Sequence, residues 1–453
     1  MNRDHQHHHR RRPAVRALVL GVVLAMTAAV TGAVTAGAAE KPQATEVGVT
    51  PTEIHIAVVA DVDNPFAPGV FKPSVEGVQG VAKYINATGG LAGRKVVVDF
   101  YDSKLNANAT RQAQIDACAN DLAMVGTSAF FLTTVDDMRG CKDSTGAVTG
   151  LPDIPFLSTA IAQQCSDQSF PVTAPFVVCS TVNQHPQTFQ ANVGVGYWYQ
   201  KQFGKNLHGA YVFTNDTKSA YVVGFSTRGA LRDIGIKSDG DFLRSQRATQ
   251  SEFSEIVQAM KNDSSNYAQC TGAFGCTVNL RKEAALQGLT GVKVWDCGIS
   301  CYDSQFLAAG GADVEGQYVD MAVLPFLSKA EAKANPMLAN YLQYTGTANA
   351  ASYGAYAWAA GIALRQAVDA IVKEQGVNGV TRKNLFAALN QIHDFNAGGL
   401  IGTVDLAGRT TSECHVTVQV RDGKFVRVNP AKPGTFECSP KNVIHRQLDL
   451  LDG

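Results

Sequence analysis

The sequence predicts an α/β protein of two similar lobes, each an open, mainly parallel sheet flanked by helices. Short apolar runs of β character alternate with helical periodicity from residue 53 onward, and strand, helix, strand at this spacing means parallel strands joined by crossovers. The alternation restarts near residue 209. The length of 453 residues suits two or three domains at roughly 100 to 200 residues each.

The first strand is Glu53 to Ala60 (EIHIAVVA). A helix follows over Val75 to Asn86, with Val78, Val81, Ala82 and Ile85 on one face, and Gly89-Gly90 ends it as a left-handed cap requires. Lys95 to Tyr101 is the second strand, Asn108 to Leu122 the second helix, Ala123 to Gly126 the third strand and Ile154 to Ser158 the fourth. After the restart come strands at Gly209 to Thr214, Ile236 to Phe242, Lys293 to Asp296 and Gln317 to Leu324, with helices at Tyr221 to Asp233 and Ser251 to Lys261. A long helix spans Ser352 to Glu374, a shorter one Asn384 to Gln391, and Val416 to Val428 reads as a hairpin turning at Asp422-Gly423. No low-complexity linker divides the lobes, so the chain is expected to cross between them more than once.

Composition narrows the function. Hydrophobic residues make up 45% and charged residues 17%, and Lys plus Arg equals Asp plus Glu at 39 each. That balance argues against a nucleic-acid partner, which calls for a basic excess, and the apolar content excludes large-scale disorder. Arg3, Arg10, Arg11, Arg12 and Arg16 precede an apolar stretch from Ala17 to Val30 that ends in the small residues Ala36-Gly37-Ala38. This reads as a secretory signal peptide over 1–39, cleaved near Ala38 or Ala39, with an uncleaved anchor as the rival reading. The consecutive arginines leave both general and twin-arginine export open. No cysteine precedes Cys118, so a processed N-terminal cysteine for a lipid anchor is not expected, and without the leader 34 basic residues face 38 acidic ones.

Ten cysteines behind a signal peptide mean disulfides in an oxidising compartment. They fall into close couples: Cys118 with Cys141, Cys165 with Cys179 and Cys414 with Cys438 are favoured. Cys270, Cys276, Cys297 and Cys301 are left either as neighbour pairs or as crossed bridges between adjacent loops. A zinc site at Cys297 and Cys301 lacks the spacing of a ribbon and a nearby histidine. No metal and no cofactor is expected.

The run Val78 to Val97 (VQGVAKYINATGGLAGRKVV), behind a strand opening Thr52-Glu53-Ile54, resembles the amino-terminal signature of the leucine/isoleucine/valine-binding family of solute-binding proteins of ABC transporters. Ile154 to Thr159 (IPFLST), Ala220-Tyr221, Tyr302 to Leu307 (YDSQFL) and the helix around Tyr353 to Leu364 are further matches. The similarity covers about residues 50 to 430. It implies a type I periplasmic binding fold with three hinge strands and a small ligand between the lobes. Lobe 1 would hold 51–182 plus 323–400, lobe 2 183–322 plus 401–440, and 441–453 would be a C-terminal tail.

Ligands of open α/β sheets bind beyond the carboxyl ends of the strands, where backbone N–H groups point outward. After the first strand, Phe66 is expected against the ligand or packed on its own lobe. After the third, by resemblance, Ser128, flanked by Ala129, supplies a hydroxyl to a ligand carboxylate, or else caps the next helix. After the fourth, Ser158, Thr159 and Ala160 match the segment that holds an amino-acid head group. Tyr221 matches an aromatic wall residue, although Val222 stands where glycine is usual, and a core tyrosine is the alternative. The family's ammonium partner is a carboxylate near Ile299 or Ser300, and none is there. Either Asp296 substitutes or the ligand is not an α-amino acid.

No Gly-x-Ser-x-Gly, His-Glu-x-x-His or phosphate-loop motif occurs, and Gly194-Val195-Gly196 is read as lacking the strand and the third glycine of a dinucleotide site. His55, His185, His208, His393, His415 and His445 are scattered. The expectation is a secreted, monomeric solute-binding protein, not an enzyme, that presents a small polar ligand to an ABC permease. A sensor with the same fold, and more distantly a secreted hydrolase, are the alternatives.

Overall fold

The structure, a computed structural model, describes residues 40–64, 68–173, 176–179, 188–216 and 218–447. The expected leader and Phe66 lie outside the described residues. The chain opens with β1 (Glu53–Ala60), α1 (Lys72–Ala87), β2 (Lys95–Asp102), α2 (Ala107–Asn120), β3 (Met124–Val125), α3 (Asp136–Arg139), β4 (Asp153–Ile154) and α4 (Ile161–Gln164). These four strands form a parallel sheet in the order β2-β1-β3-β4. Then come β5 (Thr188–Asn192), α5 (Gly194–Phe203), β6 (His208–Thr214), α6 (Lys218–Asp233), β7 (Lys237–Arg244), α7 (Ser254–Asn262), β8 (Tyr267–Cys270), α8 (Phe274–Leu286), β9 (Val294–Cys297), α9 (Ser304–Gly310) and β10 (Tyr318–Met321). Helices α10 (Lys329–Ala334), α11 (Pro336–Thr345), α12 (Ser352–Gln375) and α13 (Arg382–Leu389) follow, and β11 (Cys414–Arg421), β12 (Lys424–Asn429), β13 (Glu437–Cys438) and β14 (Val443–Gln447) close the chain.

The second sheet runs β12-β11-β10-β9-β8-β6-β7, parallel from β6 to β10 and antiparallel at β11 and β12. The β11–β12 turn is two residues, Asp422 at φ 51° and Gly423 at φ 68°, the positive angles that a tight hairpin needs. Strand β14, within the expected tail, pairs antiparallel with β5.

After β10 the chain leaves the second sheet, and α11 and α12 pack against α1 of the first. Helix α1 buries Val75, Val78, Val81, Ala82 and Ile85. Gly77 permits the close crossing, since a Cβ there would stand 2.2 Å from the Gly354 carbonyl oxygen. The return segment is hydrogen-bonded to the outgoing one, Leu324 N–H to Leu400 O at 2.9 Å and Gly402 N–H to Ala322 O at 2.8 Å. The Asn192 side chain ties the β5 segment to this pair by donating to Ser412 O at 2.8 Å. Three segments therefore run side by side between the sheets.

All ten cysteines are paired with the next one along the chain: 118–141, 165–179, 270–276, 297–301 and 414–438. The open alternatives at 270–301 thus resolve as neighbour pairs, and Cys297 and Cys301 have no sulfur left for zinc. The glycine pair 194 and 196 corrects the sequence reading in part, because strand β5 does precede it. Gly194 serves packing, since a Cβ there would lie 2.5 Å from His415 Nδ1. Among the described residues no helix is long and apolar enough to cross a membrane.

Candidate ligand-binding site

Pairing continues past the ends of the first sheet's strands through the bridges Ala60–Ser128 and Ser128–Leu157. The segments after β1, β3 and β4 are therefore adjacent at one edge. Asp61, which the sequence reading passed over, fastens them: Oδ1 accepts from the Ser103 hydroxyl at 2.6 Å and the Leu105 N–H at 2.8 Å, and Oδ2 accepts from the Phe130 N–H at 2.8 Å. Three donors compensate the burial of this carboxylate. Its only signal in the sequence is an acid closing an apolar run.

Behind the edge, Asp153 joins the two loops that carry the expected head-group residues. The Thr127 hydroxyl donates to it at 2.6 Å and the Gln163 amide at 2.9 Å. Burial dominates both hydrogen bonds and raises its pKa to about 6.

Ser128 donates its N–H to Val59 O at 2.9 Å and begins no helix, α3 starting only at Asp136. Its hydroxyl, like that of Ser158, is buried without a partner among the described residues. Thr159 differs, because its hydroxyl donates to Phe130 O at 3.1 Å and so has no proton left for a ligand oxygen. The N–H groups of Ser158, Thr159 and Ala160 have no backbone acceptor among the described residues. The Ala129 methyl is in the core with Val59, Met124 and Leu132, which leaves that residue only its backbone to offer. An aromatic cluster flanks these loops. Phe71 lies 5.0 Å from Phe130 and 5.6 Å from Tyr353, and Phe156 lies 5.0 Å from Tyr353.

On the second sheet both candidates have partners within their own lobe. Tyr221 sits on α6 against Phe213 at 6.3 Å and Phe225 at 5.8 Å, half-buried on the edge of that lobe's aromatic core. Asp296 is 4% exposed, and its oxygens are taken by the Tyr199 hydroxyl at 2.8 Å, the Tyr267 hydroxyl at 2.7 Å and the Gln269 amide at 2.7 Å. Burial nonetheless pushes its carboxyl up. Strand alternation turns it toward α5, so it is not a free counter-ion for a ligand. A carboxylate that does approach the first sheet's side is Asp303, which caps α9 by accepting the Gln305 N–H at 2.7 Å. Together with burial, it raises the Tyr353 hydroxyl pKa. Among the described residues no three His, Cys, Asp or Glu side chains gather as metal ligands do.

Residues 53–424 match the periplasmic binding protein family, most of the chain and both sheets. The chain belongs to that family. The resemblance to leucine/isoleucine/valine-binding proteins and the type I fold are thereby borne out. No curated protein matches this binding protein. Among solved structures it is similar to a branched-chain amino acid ABC transporter protein from Thermus thermophilus with bound valine, at 13% identity and a TM-score of 0.64, over 86% of this chain and 98% of that one. A fatty acid ABC transporter substrate-binding protein from Thermomonospora curvata aligns at 15% identity and a TM-score of 0.64, over 89% and 96%. A leucine-binding protein from Thermotoga maritima aligns at 16% and 0.59, over 83% and 99%. At such identities the likeness shows the fold. Family membership implies a periplasmic or extracellular location and a small-molecule ligand passed to a permease.

Proposed function

We propose that this binding protein, exported by the leader at 1–39, captures a small carboxylate between lobes 51–182 plus 323–400 and 183–322 plus 401–440, for delivery to an ABC importer. The observation that carries the reading is the Ser158–Ala160 segment. Its three N–H groups, without backbone acceptors among the described residues, and the unpartnered Ser128 and Ser158 hydroxyls lie on adjacent segments past the strand ends, a set of donors suited to an anionic head group without an arginine. The engagement of Asp296 argues that the ligand needs no ammonium partner there. The neighbouring aromatic cluster favours an apolar body on the ligand.

A thermal-shift screen tests this, because a ligand that binds only the native state raises the melting temperature. Leucine and valine, their deaminated acids, short fatty acids and neutral sugars are the arms. The acids are expected to stabilise at least as much as the amino acids, and Asp296→Asn to leave that order unchanged. Stabilisation by sugars alone, or turnover of a stabilising compound on incubation, overturns the proposal.

A further inference from the structure

A cavity of about 190 Å³ lies where the three connecting segments meet, touched by Thr173 of the first, Ala322 of the second and Gly402 of the third. None of the strand-end residues described above lines it. That volume exceeds the 150 Å³ or so that accommodates benzene in a protein core. One wall is apolar, formed by Val172, Met321 and Val404. The lining also carries Asp320, whose Oδ1 is buried with no partner among the described residues. Its cross-strand partner Thr417 likewise has a buried hydroxyl without a partner among those residues.

Asp296, on the neighbouring strand β9 and the same face of the sheet, adds to burial in pushing the Asp320 carboxyl well up, and no lysine or arginine is among the described residues that line the walls. His415 on β11 is in the lining, and burial holds its pKa down, with Glu437 4.0 Å from its Nε2. Tyr199 on α5 and Tyr356 on α12 complete the titratable surroundings. A carboxyl whose donor is the N–H of the adjacent Met321, with Oδ1 left unpartnered among the described residues, is still costly to bury, and a ligand that supplies N–H donors and positive charge lowers that cost.

We propose that this hinge cavity is a second binding site, for a small primary alkylammonium ion, with Asp320 as counter-ion, Ser412 as a further acceptor and the alkyl chain against Val172, Met321 and Val404. An occupant there touches all three segments between the sheets, so it biases their relative arrangement without entering the strand-end site.

The test is titration of the mature protein at pH 8 with n-butylammonium chloride, compared with sodium chloride at equal ionic strength and with n-butanol, read by melting temperature and calorimetry. Butylammonium is expected to bind saturably and raise the melting temperature above either control. Asp320→Asn should weaken that binding at least about tenfold, whereas Ser158→Ala should leave it unchanged. Val404→Phe, which fills the apolar end and keeps Asp320, should abolish it, and this variant decides the matter if Asp320→Asn does not fold. A response equal to that of sodium chloride or butanol, or one retained in Asp320→Asn or Val404→Phe, overturns the proposal.

Discussion

Asp153 shows how one residue serves the site at a cost to the fold. Its pKa of about 6 lies above the ordinary 3.8, so the native state holds the proton more tightly than the unfolded chain does. The contribution is therefore fully favourable below pH 3.8 and is lost as the pH rises through 6. Asp153→Asn should match the parent near pH 4 and exceed it by up to about 3 kcal/mol at pH 7, measured by urea unfolding at both pH values. The replacement is supported because Gln163 Oε1 is buried without a partner among the described residues, and a turned amide would let it accept from the new side chain. Ser158 and Thr159 separate at the same scale. If the Ser158 hydroxyl meets the ligand carboxylate, Ser158→Ala should weaken binding roughly ten- to a hundredfold, the worth of a hydrogen bond to a charged group. Thr159→Ala, whose hydroxyl already serves Phe130, should change affinity only a few-fold by calorimetry. The Ser158–Ala160 run was legible because small polar residues after an apolar strand mark a strand end. The fate of Asp296 was not legible, since its partners Tyr199, Tyr267 and Gln269 stand 97, 29 and 27 residues away.

Among the elements, β1, α1, β2 and α12 were readable to within about three residues: α1 from its spaced apolar face, β1 and β2 from short apolar runs, and α12 from a long apolar stretch that is buried on all sides from Gly354 to Leu364. Strand β8 and helix α8 were missed. The strand is four residues long with a glutamine, and the helix buries Thr277 and Glu283 beside Val278 and Leu280, which erases the 3.6-residue pattern. Glu283 is accommodated by the Gln287 amide one turn on and by the Gln250 amide, 33 residues away, a partner that no local window reveals. The disulfides are also devices of single elements and their loops. The loop-closure account gives about 3 kcal/mol for a bridge such as Cys118–Cys141, separated by 23 residues, and about 2 for Cys297–Cys301, separated by 4. Double serine variants should lose stability in that order in denaturant titrations. The Cys297–Cys301 variant alone should also shift ligand affinity, because that bridge shapes the loop leading to Asp303.

At the scale of the whole molecule, three hydrogen-bonded segments between two sheets allow the lobes to move as bodies. Ligand contacts on both lobes exist together only when they close, so saturating ligand should favour the closed form. Small-angle scattering should then give a smaller radius of gyration, and an unchanged radius with binding demonstrated would contradict closure. The two-lobed plan was visible in the sequence as a restart of the strand–helix alternation. The cavity among the three segments was not, because Thr173, Asp320 and Ser412 meet only after the chain has crossed three times. The order of the cysteine pairs bears on how the chain is made. Each half-cystine joins the next to appear, and no more than 24 residues separate any two partners. A chain threaded outward from its amino end, and oxidised as it emerges, meets the right partner first every time, so maturation can proceed without reshuffling by an isomerase.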